Sequence, residues 1–277
     1  MGNGARWLAC LGVAAALAAQ PASGQGNKGQ PKGGAAQGGP LIQKLRSKDP
    51  AQIKSALDDA RIAGAGAASA APVIAELLHQ GLSYDLTIGA IETLADIEAP
   101  TGSAAVAQYA SHRDVKIRRA ALKALVRVKG PAAAPAMRAA LSDSDAGVRA
   151  TAATGLGGLK AKDAVADLFT ALDHKVIEAA ASIGQLCNNE QCVALSEKLG
   201  KLPFDVVTTG LEPTLFRPSQ EVSDDTKIKV VGRIRELGTQ EANKFLRDVQ
   251  GKWPKTGSAR VRTALDQAVL ATSGGTK

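Results

Sequence analysis

The sequence predicts an all-α fold, an α-solenoid of about six helical hairpins with a C-terminal capping helix. Two observations support this prediction. Only 3% of the 277 residues are aromatic, whereas alanine, the strongest helix former, is abundant, so a fold built on β-sheets is disfavoured. The apolar pattern also repeats with a constant period over the centre of the chain, and such a period is typical of stacked supersecondary units.

Each central repeat contains two apolar stripes. In the first stripe, the same position of three successive repeats is always apolar. The four sets of equivalent residues are Leu86, Ile117 and Val148, then Ala90, Ala121 and Ala152, then Leu94, Leu125 and Leu156, then Ile97, Val128 and Leu159. The second stripe contains Val106, Met137 and Leu168, then Ala110, Leu141 and Leu172. Because the positions within a stripe step by three or four residues, each stripe predicts an amphipathic helix and each repeat a helical hairpin.

The residues between the stripes are suited to begin and end helices. Asp114 and Asp145 precede the first stripe of their repeats, where an aspartate accepts hydrogen bonds from free backbone N–H groups. After the first stripe of one repeat comes Lys129-Gly130-Pro131. Gly130 suits a helix C-cap, and Pro131 suits the first turn of the next helix.

Outside this centre the period changes, becoming slightly longer before it and shorter after it. We count five units between about residues 41 and 200, followed by a sixth that begins at Asp225. The first stripe of the sixth unit lies within residues 228–237, and the second within residues 245–249. Residues 258–271 are predicted to form an unpaired last helix that caps the stack.

Residues 1–24 have the features of a signal peptide. Arg6 precedes an apolar stretch too short to span a membrane, and small residues follow at Ala22-Ser23-Gly24. Ala18 and Gly24 are both acceptable cleavage points, and we expect cleavage after Gly24 and export to the periplasm or the extracellular space. Residues 25–40 should form a disordered Gly/Gln-rich tether and residues 273–277 a disordered tail, which leaves residues 41–272 for the repeats.

Two segments, DVKIRRAALKALVRVKG (114–130) and DAGVRATAATGLGGL (145–159), resemble HEAT repeats of the short type found in phycobilisome-lyase-like proteins. The resemblance implies a solenoid that binds partners along a curved face. Proteins of this family share no single catalytic activity, so the resemblance does not identify a function. It also implies a hydrogen-bonded ladder between repeats, formed by Asp114, Arg118, Asp145 and Arg149.

A basic stripe, Lys116, Arg119, Lys123 and Arg127, lies on one face of a predicted helix. The equivalent positions one repeat earlier are Asp85, Ile88, Glu92 and Asp96. Stacking therefore predicts ion pairs of Asp85 with Lys116, Glu92 with Lys123, and Asp96 with Arg127, each worth about 0 to 1 kcal/mol at an exposed position. The alternative is that the stripe binds an acidic ligand, and Arg119, the least compensated cation, is a candidate contact for a partner.

Cys187 and Cys192 flank a predicted turn. In an exported chain they favour a local disulfide, and the alternative is that Cys192 fills the core position held by Val165 one unit earlier.

Residues 201–224 interrupt the period and contain three prolines, which are expected to prevent a long helix. Phe204, Phe216 and Arg217 in this insertion either form a recognition loop for a partner, or the two phenyl rings fold back over the groove between units.

The sequence predicts no metal site, no cofactor and no catalytic activity. His79, His112 and His174 are isolated from one another, and no nucleophile accompanies an acid and a base. The formal charge of +8 suggests an acidic partner, but the basic residues are not concentrated as in a nucleic-acid binder. We therefore expect an exported protein-binding scaffold or adaptor. The alternative is a lyase-like or chaperone-like accessory protein for prosthetic-group attachment.

Overall fold

The computed structural model of the chain describes residues 39–273. The predicted signal peptide and nearly all of the predicted tether lie outside these residues. Pro40, which we placed in the tether, is the first residue of a helix, and Ser273, which we placed in the tail, is the last residue of another.

Within residues 39–273 the regular structure is helical, which confirms the all-α prediction. The α-helices of this part of the chain are α1 (Pro40–Leu45), α2 (Pro50–Ala63), α3 (Ala71–Gln80), α4 (Tyr84–Ile97), α5 (Ser103–Gln108), α6 (Val115–Val128), α7 (Ala133–Ala140), α8 (Ala146–Gly158), α9 (Val165–Asp173), α10 (Ala179–Leu186), α11 (Asn189–Ser196), α12 (Phe204–Phe216), α13 (Asp224–Arg235), α14 (Gln240–Lys252) and α15 (Ala259–Ser273).

Successive helices pair into hairpins that stack on one another. The first helices of the hairpins, α2, α4, α6, α8, α10 and α12, pack side by side in chain order, and we call them the first-helix layer. The second helices pack behind them. Leu94, Leu125 and Leu156, which occupy the same position in successive repeats, are fully buried in one continuous core, as the period predicts.

The central helices begin and end at equivalent positions of their repeats. Asp114 accepts hydrogen bonds from the N–H groups of Lys116 and Ile117, and Asp145 accepts one from Val148. The C-terminal end of α6 differs from the prediction, because the left-handed residue is Lys129, with φ of 52°, and not Gly130. Glu98 and Lys160, at the equivalent positions of the repeats on either side, also have positive φ.

The C-terminal units are in a different register from the one we predicted. Residues 204–216 of the supposed irregular insertion form α12, despite Pro213 near its end. Helix α12 packs on α10 and pairs with α13, so α13 is the second helix of a hairpin and not the first. Helix α15 remains the last helix of the stack, but it packs on both α13 and α14 and is not unpaired.

The contact between α10 and α12 is a close approach of two backbones. A Cβ atom at Gly184 would overlap the carbonyl oxygen of Gly210, and a Cβ atom at Gly210 would overlap that of Ala180. Thr214 donates a hydrogen bond across the same contact to the carbonyl of Gly184, at 3.2 Å. Glycine at both positions therefore allows α12 to join the first-helix layer.

Of the expected ladder between repeats, Arg118 forms a link to the next repeat, but its acceptor is not one of the predicted aspartates, and Arg149 bonds only to the turn before its own helix. Arg118 donates to Asp143 of the next repeat at 2.8 Å and to the carbonyl of His112 in its own turn. Arg149 donates to the carbonyl of Asp143 at 2.7 Å. Asp114 caps its own helix. The carboxylate that pairs with Arg118, and so links the two repeats, is therefore that of Asp143 and not that of Asp114 or Asp145.

One helical stretch, Pro50–Gln80, is long and apolar enough to be a membrane-spanning segment by length and composition. It is not one regular helix, because Gly64, with φ of 51°, ends α2 and a 3-10 segment separates it from α3. Ile53, Leu57 and Ile74 from the two helices lie in the core of the stack.

Replacing Asp143 with asparagine should lower the free energy of unfolding at pH 7 by about 2 kcal/mol, because Arg118 stays largely buried without its carboxylate. Burial alone would raise the pKa of Asp143, but hydrogen bonds from Arg118 and the backbone of Asp145 lower it. This stabilisation is present above the unfolded-state pKa and is lost as the pH falls through the folded-state pKa. The difference between wild type and variant, measured by urea unfolding, should therefore shrink in acid.

The control for this prediction is Asp163→Asn. Asp163 is 72% exposed, and its partner Arg138 keeps a second carboxylate, Asp167, at 2.6 Å. The control should change the stability by less than about 0.5 kcal/mol. An Asp143→Asn variant that is as stable as this control would show that the Arg118–Asp143 pair does not link the repeats.

Replacing Gly184 with alanine should destabilise the protein by about 2 kcal/mol, because the added methyl group forces α10 and α12 apart. Gly232→Ala in α13 is the matched control, since a Cβ atom there meets no neighbour within 4 Å. Alanine in this helix interior should instead stabilise by about 0.5 kcal/mol. Equal thermal midpoints for the two variants would contradict the close contact.

Candidate partner-binding groove

Three clefts follow one another along the exposed side of the first-helix layer. The first, of about 510 Å³, lies between α4 and α6, the second, of about 480 Å³, between α6 and α8, and the third, of about 540 Å³, spans α8, α10 and α12. Lys123 and Arg127 line both the first and the second cleft, and Thr154 and Gly158 line both the second and the third. The clefts therefore form one groove, which we call the first-helix groove.

Ion pairs between neighbouring repeats surround the first cleft. Arg127 pairs with Asp96, as predicted. Arg61 bridges Asp96 at 3.0 Å and Glu92 at 3.2 Å. Burial alone would raise the pKa of Asp96, but hydrogen bonds from Arg127 and Arg61 lower it. The predicted pair of Glu92 with Lys123 does not form, because Glu92 is held by Arg61.

Arg119 is compensated, contrary to our expectation that it would be the least compensated cation of the stripe. Its guanidinium lies over Gly147 and donates to Asp145 at 2.7 and 3.2 Å. This hydrogen bond is the main reason why the pKa of Asp145 is lowered. Asp145 thus holds Arg119 and caps α8 at once, and Arg119 is not a free contact for a partner.

Lys116 and Lys123 are the cations of the stripe that form no ion pair within residues 39–273. Both are exposed and line the first cleft. Asp85, the predicted partner of Lys116, makes no salt bridge with it in this part of the chain. Between the two lysines the floor of the cleft is apolar, with Ile88 and Ala120 among its residues.

Beyond α6 the groove crosses small residues and then reaches a cleft with both apolar and acidic lining. Helix α8 offers Ala150, Thr154 and Gly158 to the second cleft, so the groove crosses this helix without a large side chain in its way. In the third cleft Ile177 is 52% exposed, beside Val206. The small residues of α8 were visible in the sequence as departures from the basic stripe, but we predicted no groove from them.

The insertion residues that we considered for partner binding are used inside the molecule. Phe204 packs edge-on against Phe245, with ring centroids 6.0 Å apart, and Phe216 packs against Trp253 at 5.7 Å. This agrees with the alternative in which the phenyl rings fold back. Phe216 keeps one partly exposed face, but Phe204 does not form an exposed recognition loop.

Arg217 is also structural. Its side chain is 11% exposed, donates to the carbonyl of Cys187 at 2.7 Å and pairs with Glu221 at 3.0 Å. Its own carbonyl accepts from Lys227, a buried lysine that the sequence analysis did not single out. Burial lowers the pKa of Lys227, and its ammonium group lies 5.9 Å from the ring centroid of Trp253.

Cys187 and Cys192 lie within bonding distance in the structure, with an S–S separation of 2.10 Å and Cα atoms 5.3 Å apart. Both residues are fully buried, and the bond joins the end of α10 to α11. Together with the hydrogen bond from Arg217, it fixes the turn between α10 and α11.

Within residues 39–273 no group of three histidine, cysteine, aspartate or glutamate side chains is placed to hold a metal ion. The histidines lie at the ends of second helices. His112 accepts a hydrogen bond from the N–H of Asp114 at 3.0 Å and stacks on Tyr109.

Residues 71–151, from α3 into α8, match the family of HEAT repeats. No curated protein matches the sequence at a significant level. Among solved structures, the chain is similar at 16% identity to the complex of CpcE and CpcF of phycocyanin lyase from Nostoc sp. PCC7120, with 91% of this chain and 100% of that chain covered and a TM-score of 0.45.

Two designed structures are similar at the same level. An engineered protein has 16% identity, a TM-score of 0.46 and coverage of 84% of this chain and 77% of its own. A designed armadillo repeat protein in complex with the peptide (KR)4 has 16% identity, a TM-score of 0.35 and coverage of 84% and 98%. The family match assigns residues 71–151 to HEAT repeats, and the helical hairpins of that segment stack as the period predicts.

Proposed function

We propose that this protein is an exported, non-enzymatic scaffold that holds an extended segment of a protein partner in the first-helix groove. The observation that carries the proposal is the continuity of the groove, in which each cleft shares residues with the next. A repeat surface of this kind binds by many weak contacts along its length.

The dimensions of the groove suit an extended polypeptide. Packed helices lie about 10 Å apart, so the four intervals from α4 to α12 span about 40 Å. A strand rises about 3.3 Å per residue, so about twelve residues of an extended segment would cover this distance. Globular ligands would meet only part of such a groove.

The residues of the groove support binding and not catalysis. In the first cleft the charged side chains other than Lys116 and Lys123 are held in ion pairs, and Glu178 and Asp205 add two carboxylates to the third cleft. The remaining lining is alanine, glycine, serine, threonine, glutamine and aliphatic side chains. Within residues 39–273 we find no feature that would favour a protein that assists prosthetic-group attachment over a protein that binds a partner.

Export is part of the proposal. The signal-peptide features of residues 1–24 support it, and so does the disulfide between Cys187 and Cys192, because such bonds persist in oxidising compartments.

Thr154→Arg should block the groove, because Thr154 is exposed where the second and third clefts meet. We expect this variant to recover at least about tenfold less of the natural partner than wild type in affinity capture, quantified by mass spectrometry. The matched control is Thr170→Arg on the exposed side of α9, a second helix outside the groove. Equal recovery by wild type and both variants, each shown to be folded by its thermal unfolding, would contradict the proposal.

The mature chain should begin at Gln25. Mass spectrometry of the N-terminal peptide, from protein isolated outside the cytoplasm, should show the mass expected for cleavage after Gly24. Protein that keeps residues 1–24 and is recovered only from the cytoplasm would refute export.

A further inference from the structure

We infer that the occupant of the first-helix groove is an acidic segment of a protein partner, with two carboxylates over α6 and a large apolar side chain in the cleft that spans α10 and α12. The inference rests on the proposed function, because it names the chemistry of the segment that the groove would hold.

The acidic character follows from which cations of α6 remain unpaired. Arg119 and Arg127 are held by Asp145 and Asp96. Lys116 and Lys123 have no ion-pair partner within residues 39–273, although both are exposed on the wall of the first cleft. Two ammonium groups on one wall of a groove are electrostatically complementary to a pair of carboxylates.

Neither neighbouring repeat supplies an anion to these lysines. In the following repeat, the residue equivalent to Lys116 is Gly147, and the one equivalent to Lys123 is Thr154. On the preceding side, Glu92 is already held by Arg61. A carboxylate that pairs with these lysines would therefore come from outside the repeats.

The opposite end of the groove selects a different side chain. Ile177, Ala181 and Val206 line the third cleft, which is wide enough for a large apolar group. Glu178 and Asp205 line the same cleft and disfavour a carboxylate there. The groove is thus positive at α6 and apolar with an acidic border at α10 and α12, which gives a bound segment one preferred direction.

The two lysines and the apolar cleft are separated along the groove by the width of the helices between them. From α6 to the cleft between α10 and α12 is about two and a half helix intervals, or about 25 Å. This distance corresponds to about seven residues of extended chain. The segment therefore carries its two acidic residues about seven positions from its apolar residue.

Synthetic peptides test the inference on the mature chain. The probe is a fluorescein-labelled Gly/Ser peptide with two glutamates and, about seven positions away, one tryptophan, made in both sequence directions. Matched peptides carry lysines in place of the glutamates, or serine in place of the tryptophan. By fluorescence anisotropy, one direction of the acidic peptide should bind at least about tenfold tighter than either matched peptide, and its affinity should fall with salt.

Charge reversal identifies the lysines. The double variant Lys116→Glu with Lys123→Glu should bind the acidic peptide at least about tenfold more weakly. The control is Lys229→Glu with Lys244→Glu, two exposed lysines on α13 and α14, which changes the net charge equally and should leave the affinity unchanged. Equal weakening by both double variants would overturn the inference, since net charge alone would then explain the binding.

The outcomes separate this inference from the proposed function. If Thr154→Arg abolishes capture of the natural partner while the acidic peptide binds no better than the lysine peptide, the groove binds a segment of other chemistry and only this inference is wrong. If Thr154→Arg captures the natural partner as wild type does, the groove is not the site and both fail. Tighter binding of a single-stranded oligonucleotide of similar length, lost in Lys116→Glu with Lys123→Glu, would assign these lysines to nucleic acid and overturn the inference.

Discussion

The structure depends on the lateral contact between equivalent first helices, repeated along the stack. This contact buries the same positions in each unit, as with Leu94, Leu125 and Leu156, and small residues let the helices approach closely. Between α10 and α12 the approach is so close that only glycine fits at Gly184 and Gly210. The core, the caps and the groove depend on this one contact. The core and the caps recur wherever two first helices pack side by side, and the groove changes in character where the side chains of those helices change.

Stacking also explains why the ion pairs differ from the predicted ones. A residue in the middle of the stack has two equivalent neighbours, one in the preceding repeat and one in the following repeat. Glu92 can face Arg61 on one side or Lys123 on the other, and it pairs with the arginine, whose fork also reaches Asp96. The period pairs each acidic residue with the following repeat alone, and for that reason the predicted partner of Glu92 is Lys123 and not Arg61.

The sequence could predict the central repeats because apolar spacing and capping aspartates both follow the period there. It did not reveal α12, although Val207, Leu211 and Leu215 step by four residues, because Pro213 was given too much weight. A proline near the end of a helix removes few backbone hydrogen bonds, and the buried side of α12 gains its contact with α10. Asp143 was missed for another reason: it lies in the turn before the capping residue, where the apolar period carries no information about side-chain partners.

The groove arises where the sequence departs from its own repeat. Helix α6 carries the four cations of the basic stripe, and α4 carries acidic residues at several of the same positions. Helix α8 carries Gly147, Ala150, Thr154 and Gly158 there. A solenoid made of identical units would either pair all these charges or repel along its whole length. Because α8 is neutral and small at these positions, it opens the groove and also leaves Lys123 without a partner on that side. The positions at which α8 differs from the equivalent positions of α4 and α6 are therefore the ones that give this surface a binding preference.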